Sequence, residues 1–343
     1  VHGRIRKEVL IKQNKQLAER PALLASLSAF LIITQKIMTK VLIATEKPFN
    51  GAAVAQIEGI LVKAGFEVAK LEKYTEKSQL LAAVADVDAI IIRSDKIDAE
   101  VLDAAKNLKI VVRAGAGYDN VDLEAATAHK VCVMNTPGQN ANAVAELVFG
   151  MLVYGVRNFF NGKSGSELMG KKLGILAFGN VGRNVARIAK GFGMEVFAYD
   201  AFCPAEAIEA AGVKAVANQN ELFKSCDIVS LHIPATAETK NSINYAMCSQ
   251  MKKGAILVNT ARKEVINEAE LLKLMAERED FKYITDIMPD ADAEFKKFEG
   301  RYFSTPKKMG AQTAEANTNA GVAAANQIVG FIKDGITKFQ VNK

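Results

Sequence analysis

One stretch of this chain has the residue types and spacing needed to hold a dinucleotide. The apolar run Leu173-Gly174-Ile175-Leu176-Ala177-Phe178 enters the turn Gly179-Asn180-Val181-Gly182. A helix is expected over residues 183–192, and a second apolar run, residues 195–199, stops on Asp200. In a βαβ unit of this kind Gly179 lets the backbone approach a pyrophosphate, and Gly182 lets helix and strand pack closely. The helix start adds unpaired N–H groups and the positive end of its dipole. Asp200 stands where a carboxylate accepts both ribose hydroxyls and repels a 2′-phosphate, so the expected cofactor is NAD rather than NADP. The pattern departs from G-x-G-x-x-G at one place, where Ala177 takes the first glycine position. The bland alternative is an ordinary βαβ unit with a glycine-rich turn. Strand, turn, helix, strand and acid falling in register favour the dinucleotide.

The elements that must position this unit are legible as an alternation of strand and helix from Met38 onward. Apolar runs at residues 40–45, 66–71, 89–92, 109–113 and 131–135 form a first set. Runs at 173–178, 195–199, 227–232, 255–259 and 283–286 form a second. Such alternation implies parallel sheets covered by helices on both faces, an α/β doubly wound architecture. At 343 residues the chain can build two cores. The turn signals Asn135-Thr136-Pro137-Gly138 and Thr305-Pro306 bracket the cofactor unit. The expectation is a central domain, residues 138–305, inserted into an outer domain made of residues 38–137 and 306–343, whose last helix covers residues 311–332. Two crossings make a hinge, and closure about a hinge excludes water from a reaction.

Composition narrows the function classes. The net charge is +6, but residues 1–37 carry Arg4, Arg6, Lys7, Lys12, Lys15, Arg20 and Lys36 against Glu8 and Glu19, so the rest of the chain is near neutral. No basic and aromatic interleaving marks a nucleic-acid surface. The apolar segment 22–33 in that leader is too short to span a membrane, and no cleavage pattern follows it. The leader is read as an extension outside the fold, with a targeting or tethering role as the alternative. Cys132, Cys203, Cys226 and Cys248 form no C-x-x-C pair, which fits a reducing, cytoplasmic setting. With His2, His129 and His232 as the only histidines, no metal centre is expected.

Taken together, the segments Arg113–Leu123 (RAGAGYDNVDL), 135–147 (NTPGQNANAVAEL), 173–186 (LGILAFGNVGRNVA), 231–244 (LHIPATAETKNSIN), 251–262 (MKKGAILVNTAR), YITDIMP and STPKKMGAQTAEAN resemble the D-isomer-specific 2-hydroxyacid dehydrogenases, in the family's order. They are most similar to the members acting on 3-phosphoglycerate. The resemblance implies two Rossmann-like domains with a cleft between them, substrate held by the outer domain and NAD by the central one. It implies hydride transfer at C2 of a 2-hydroxy acid, and a homodimer formed through the central domain and a helix over residues 141–160. A segment shorter than usual before the cofactor strand bears on that dimer. No regulatory domain is expected after the last helix.

The same resemblance implies roles for residues. Arg262 falls on the arginine that grips carboxylate and carbonyl oxygens; a planar, multi-donor cation suits a 2-keto acid. Asn180 and Val181 would meet the pyrophosphate and Asp200 the ribose. His232 and Pro234 would pack along the cofactor beside Thr260 and Ala261, and Asp286 would contact the nicotinamide carboxamide. In the outer domain the N–H groups of Ala114-Gly115-Ala116-Gly117 would hold a carboxylate. Arg93 and Ser94 would meet a distal phosphate, with Lys47 adding a second charge.

Two family residues are missing. The histidine that moves the hydroxyl proton has no counterpart, since no histidine follows His232. Counting back from Gly310-Ala311 puts Lys308 on its position, whereas counting forward from Pro306 selects Lys307. Lys308 is favoured because Gly310-Ala311 opens the next helix. The supporting glutamate falls on Ala291, between Asp290 and Asp292. A lysine can serve as base once burial, Arg262 and the cationic nicotinamide ring depress its pKa. The expected activity is NAD-dependent oxidation of a phosphorylated 2-hydroxy acid. Two alternatives stand beside it: a dehydrogenase for a smaller acid such as glycerate, and a non-catalytic NAD(H)-sensing protein in which these lysines are hinge-surface charges.

Overall fold

The computed structural model describes residues 38–343, so the expectation for the basic leader lies outside the described residues. The first half runs β1 (Lys40–Thr45), α1 (Gly51–Lys63), β2 (Glu67–Glu72), α2 (Lys77–Val84), β3 (Ala89–Ile92), α3 (Ala99–Ala104), β4 (Ile110–Arg113), α4 (Leu123–Ala128) and β5 (Cys132–Asn135). After α5 (Ala141–Val156) come β6 (Lys172–Leu176), α6 (Asn180–Gly191), β7 (Glu195–Tyr199), α7 (Ala205–Glu209), β8 (Lys214–Ala215), α8 (Gln219–Ser225) and β9 (Ile228–Leu231). The chain continues through α9 (Tyr245–Ser249), β10 (Ile256–Asn259), α10 (Glu268–Glu277), β11 (Lys282–Thr285), α11 (Asp292–Phe295), β12 (Tyr302–Ser304) and α12 (Ala314–Asp334).

Strands such as Ala89–Ile92, Ile228–Leu231 and Ile256–Asn259 are buried along their whole length. Strands apolar on both faces need helices on both faces, which parallel crossovers supply. The result is two parallel sheets, one ordered β2-β1-β3-β4-β5 and the other β12-β11-β10-β9-β6-β7-β8. Each sheet separates two apolar layers. Both sheets start with the same device. The Asp88 carboxylate before β3 accepts from Lys40 N (2.9 Å), and that of Asp227 before β9 accepts from Lys172 N (2.7 Å).

The chain crosses from the first sheet to the second between β5 and α5, and returns between β12 and α12. Helix α5 packs on α6 and β11, whereas α12 packs on α1, β3 and β4. The tail then follows β5: Val341 N donates to Val133 O, and the Asn342 side chain bonds Val133 N and Val131 O. Helix α5 stops at Val156, short of residue 160, because Asn158, Phe159 and Phe160 all take positive φ. Helix α12 begins at Ala314 rather than 311, capped by the Thr313 hydroxyl, and ends on Gly335 at φ 67°. Among the described residues no helix is long and apolar enough to cross a membrane.

Candidate active site

Strand β6 ends two residues early, at Leu176, because Ala177 turns into the left-handed region at φ 79°. A β-carbon there costs about 1–2 kcal/mol, which is why glycine is the usual residue. The distortion brings the Ala177 carbonyl against the first turn of α6, where a Cβ on Gly182 would stand 2.4 Å from Ala177 O. Gly182 is therefore needed for close packing of the turn, and Gly179 precedes the helix as its N-cap. At the end of β7, Asp200 Oδ2 accepts from Phe178 N (2.7 Å), and Oδ1 accepts from Phe202 N (2.7 Å) and Cys203 N (2.9 Å). The carboxylate thus ties the ends of β6 and β7 together.

These groups line a cavity of about 690 Å³, within the roughly 300–1,000 Å³ of small-molecule and cofactor sites. Gly179, Asn180, Val181, Gly182 and Asp200 form one side, and His232 and Pro234 the other. Phe202, 96% exposed, stands at its rim. The His232 ring contacts Ser230 Oγ at 3.0 Å and Thr260 Oγ1 at 3.5 Å. Burial pulls its pKa down to about 3, so the imidazole is neutral at working pH. Thr260 and Ala261 do not reach the cavity wall. Thr260 stands behind His232, and Ala261 is buried in the core with its N–H on Asn259 Oδ1.

A second cavity, about 270 Å³, opens at the ends of β1, β3 and β4. Lys47, Arg93 and Arg113 converge on it, with Ser94, Ala114 and Gly115 in the wall. Arg93 donates to Lys47 O (2.8 Å), Pro48 O (2.9 Å) and Asn317 Oδ1 (2.6 Å) and lies over the Phe49 ring. Arg113 Nε donates to Arg93 O at 3.0 Å. Its guanidinium lies where a Cβ on Gly115, at φ 153°, would stand 1.5 Å from Nη1, so only glycine admits it. Burial holds the Arg113 pKa below the usual arginine range; Asp119 opposes this, while Arg93 and Arg262 add to it. The glycine loop divides its residues. Ala114 and Gly115 face this second cavity, Ala116 lines the cofactor cavity, and Gly117 lies against Arg262. Asn140 lines both cavities, so they adjoin.

Arg262 follows β10, its carbonyl held by Asn259 Nδ2 (2.9 Å) and its Nη1 donating to Ala261 O (2.9 Å). Its Nη2 lies 3.5 Å from the point a Cβ on Gly117 would occupy, with Asp119 Oδ1 3.3 Å from the same point. Lys308 comes in on the return crossing. It is exposed and lines neither cavity; the surrounding protein depresses its pKa and Arg262 lowers it further, while Asp286 and Asp119 work the other way. Lys307 is also exposed, and its carbonyl is held by Thr305 Oγ1 (2.9 Å).

Asp286 is engaged differently from the sequence expectation. It is 1% exposed and does not line the cofactor cavity. Its Oδ1 accepts from Thr305 Oγ1 (2.9 Å) and Met309 N (2.8 Å), and its Oδ2 from Gly310 N (2.8 Å). The carboxylate therefore clamps the loop that carries Lys308. The acids flanking Ala291 are committed elsewhere: Asp290 pairs with Lys263, and Asp292 with Lys296 and the Tyr302 hydroxyl. Arg113, Asp119 and Asn317 were missed by sequence reasoning. Arg113 stands directly before the glycine loop in a segment already singled out, whereas Asn317 reaches the site only through the return of α12.

Comparison with known proteins agrees with this geometry. Residues 153–303 match the NAD binding domain of the D-isomer specific 2-hydroxyacid dehydrogenases. A hydroxypyruvate reductase of Thermotoga maritima is 36% identical over 281 residues, covering 76% of this chain and 90% of its own length. The chain belongs to the D-isomer-specific 2-hydroxyacid dehydrogenase family. A D-3-phosphoglycerate dehydrogenase of Methanocaldococcus jannaschii is 34% identical over 295 residues, covering 80% of the chain and 56% of the relative. The chain thus spans about half the length of such relatives. The crystal structure of an NAD+-bound 3-phosphoglycerate dehydrogenase from Entamoeba histolytica superposes with a TM-score of 0.80 at 48% identity, covering 89% of this chain and 99% of that one. The 690 Å³ cavity of this family member, with the Gly182 approach and the Asp200 carboxylate, fits NAD.

Proposed function

We propose that this family member is an NAD-dependent D-3-phosphoglycerate dehydrogenase, interconverting 3-phosphoglycerate and 3-phosphohydroxypyruvate. The observation that carries the reading is the convergence of Lys47, Arg93 and Arg113 on a small pocket that adjoins the cofactor cavity through Asn140. Three cations suit a phosphate, which carries nearly two negative charges at neutral pH. The D-3-phosphoglycerate dehydrogenases among its relatives point the same way.

NAD, when bound, supplies the hydride acceptor. The chain's residues do the rest. Arg262 grips the substrate carboxylate and the oxygen on C2 bidentately. Neutral Lys308 Nζ takes the proton from the C2 hydroxyl in oxidation, and the Lys308 ammonium returns it to the ketone oxygen in reduction. The depressed pKa brings the lysine nearer to sharing both forms at working pH. Asp286 holds the backbone just after this lysine in place through the Met309 and Gly310 N–H groups. The partner is a second copy of the chain, docked beside α5 where Phe160 and Met169 are exposed.

A second reading, a hydroxypyruvate reductase, is favoured by the Thermotoga relative. NADH oxidation with 3-phosphohydroxypyruvate and with hydroxypyruvate separates the two. A kcat/KM at least about tenfold higher for the phosphorylated acid is expected, each factor of ten being about 1.4 kcal/mol. Equal values favour the second reading. NADH binding without turnover of either acid points to a sensing protein.

A further inference from the structure

We propose that Asp95 is the positioning residue that assembles the three-cation pocket, a role that rests on reading that pocket as the distal-phosphate site. Asp95 is 2% exposed and immediately follows the Arg93-Ser94 pair. Its Oδ1 accepts from Glu46 N (2.6 Å) and from the Tyr74 hydroxyl (2.8 Å), and its Oδ2 accepts from Arg93 N (3.0 Å). Its own carbonyl accepts from Asn120 Nδ2 at 2.6 Å. One residue therefore ties together the loops that leave β1, β2, β3 and β4.

The consequence falls on the cations. Glu46 is the neighbour of Lys47, so the first bond sets the start of the Lys47 loop. The Arg93 N–H bond sets the backbone from which the Arg93 guanidinium reaches Lys47 O, Pro48 O and Asn317. Arg113 depends on the same backbone, since its Nε donates to Arg93 O. No cation forms an ion pair with Asp95 among the described residues; its charge is met by N–H and O–H donors. A buried carboxylate so satisfied stabilises fixed loops. With its carboxylate beneath three cations the pocket stays net positive, which suits a phosphate dianion. Both oxygens receive donors, so an amide at this position sets an NH2 group against one of them. Burial and Asp95 raise the Tyr74 pKa, which keeps the phenol a donor at any working pH.

The test compares wild type, Asp95→Asn and Arg93→Gln in reduction of 3-phosphohydroxypyruvate and of hydroxypyruvate, with NADH saturating. For Asp95→Asn the KM for the phosphorylated acid should rise at least about tenfold, its kcat should change less than about threefold, and the ratio of the two kcat/KM values should fall by the KM factor. Inhibition of hydroxypyruvate reduction by inorganic phosphate should weaken in parallel. If Arg93→Gln loses selectivity and Asp95→Asn keeps it, or slows both acids equally, Asp95 only stabilises the fold and the proposal is overturned. If Arg93→Gln leaves the ratio intact, the phosphate reading itself fails and takes the proposal with it. Should Asp95→Asn fail to fold, Tyr74→Phe removes one of the three donors and must lower the ratio about threefold; an unchanged ratio overturns the proposal.

Discussion

The cofactor cavity and the three-cation pocket share Asn140 and are built in different ways. One wall of the cofactor cavity is made by a contiguous βαβ unit, in which backbone shape does most of the work: Ala177 at positive φ, Gly182 against Ala177 O, and Asp200 bridging two strand ends. The three-cation pocket is made by side chains from separate loops and from a helix more than two hundred positions away, as in the Arg93–Asn317 bond. The first is a local motif that tolerates few changes in shape. The second is an assembly whose charges can be tuned one at a time. Arg262 lies against Gly117 of the glycine loop, and Lys308 stands on the return crossing; neither lines a cavity.

The largest effect is expected at Arg262. Arg262→Ala should lower kcat/KM for 3-phosphohydroxypyruvate by at least about 100-fold, as when a donor to developing charge is lost. NADH affinity measured by fluorescence titration should stay nearly unchanged. A comparable loss of NADH affinity would show that the two sites are not separable. Smaller, and confined to the cofactor side, is Gly182→Ala. Its methyl group would press on Ala177 O, costing about 1–3 kcal/mol in urea unfolding and weakening NADH binding while the phosphate preference stays. Smallest is Ala177→Gly. Relief of the left-handed strain should stabilise the domain by up to about 1 kcal/mol, raising its melting temperature by about 2–4 °C. No gain would mean that the turn has relaxed around alanine.

The same contrast explains what could be read from the chain alone. Both sheets and the glycine turn were legible because buried parallel strands read as apolar runs and the cofactor unit is contiguous. Two strands escaped. Lys214–Ala215 is a two-residue edge, and Tyr302–Ser304 has no fully buried residue, so neither offers an apolar run. The end of the cofactor strand was set too late because Phe178 is apolar and nothing in the letters reveals the turn at Ala177. Arg93 and Lys47 were visible as loop cations, but Arg113 and Asn317 become site residues only through the glycine approach at residue 115 and the return of α12. Asp286 was seen as a carboxylate at the right strand end. That it clamps the Lys308 loop depends on Thr305, Met309 and Gly310 folding back over it.

In the proposed reaction Lys308 carries the proton. That role is tested most directly by the pH dependence of kcat/KM in both directions, for wild type and Lys308→Ala. A lysine whose pKa is held below 10.5 must be neutral to accept a proton and charged to donate one. Oxidation of 3-phosphoglycerate should therefore rise with pH, and reduction of 3-phosphohydroxypyruvate fall, through one midpoint below that value. Lys308→Ala should remove both limbs and lower turnover by about 10²–10⁴-fold. Limbs that persist in the variant with turnover intact would contradict the account and place the proton on another group.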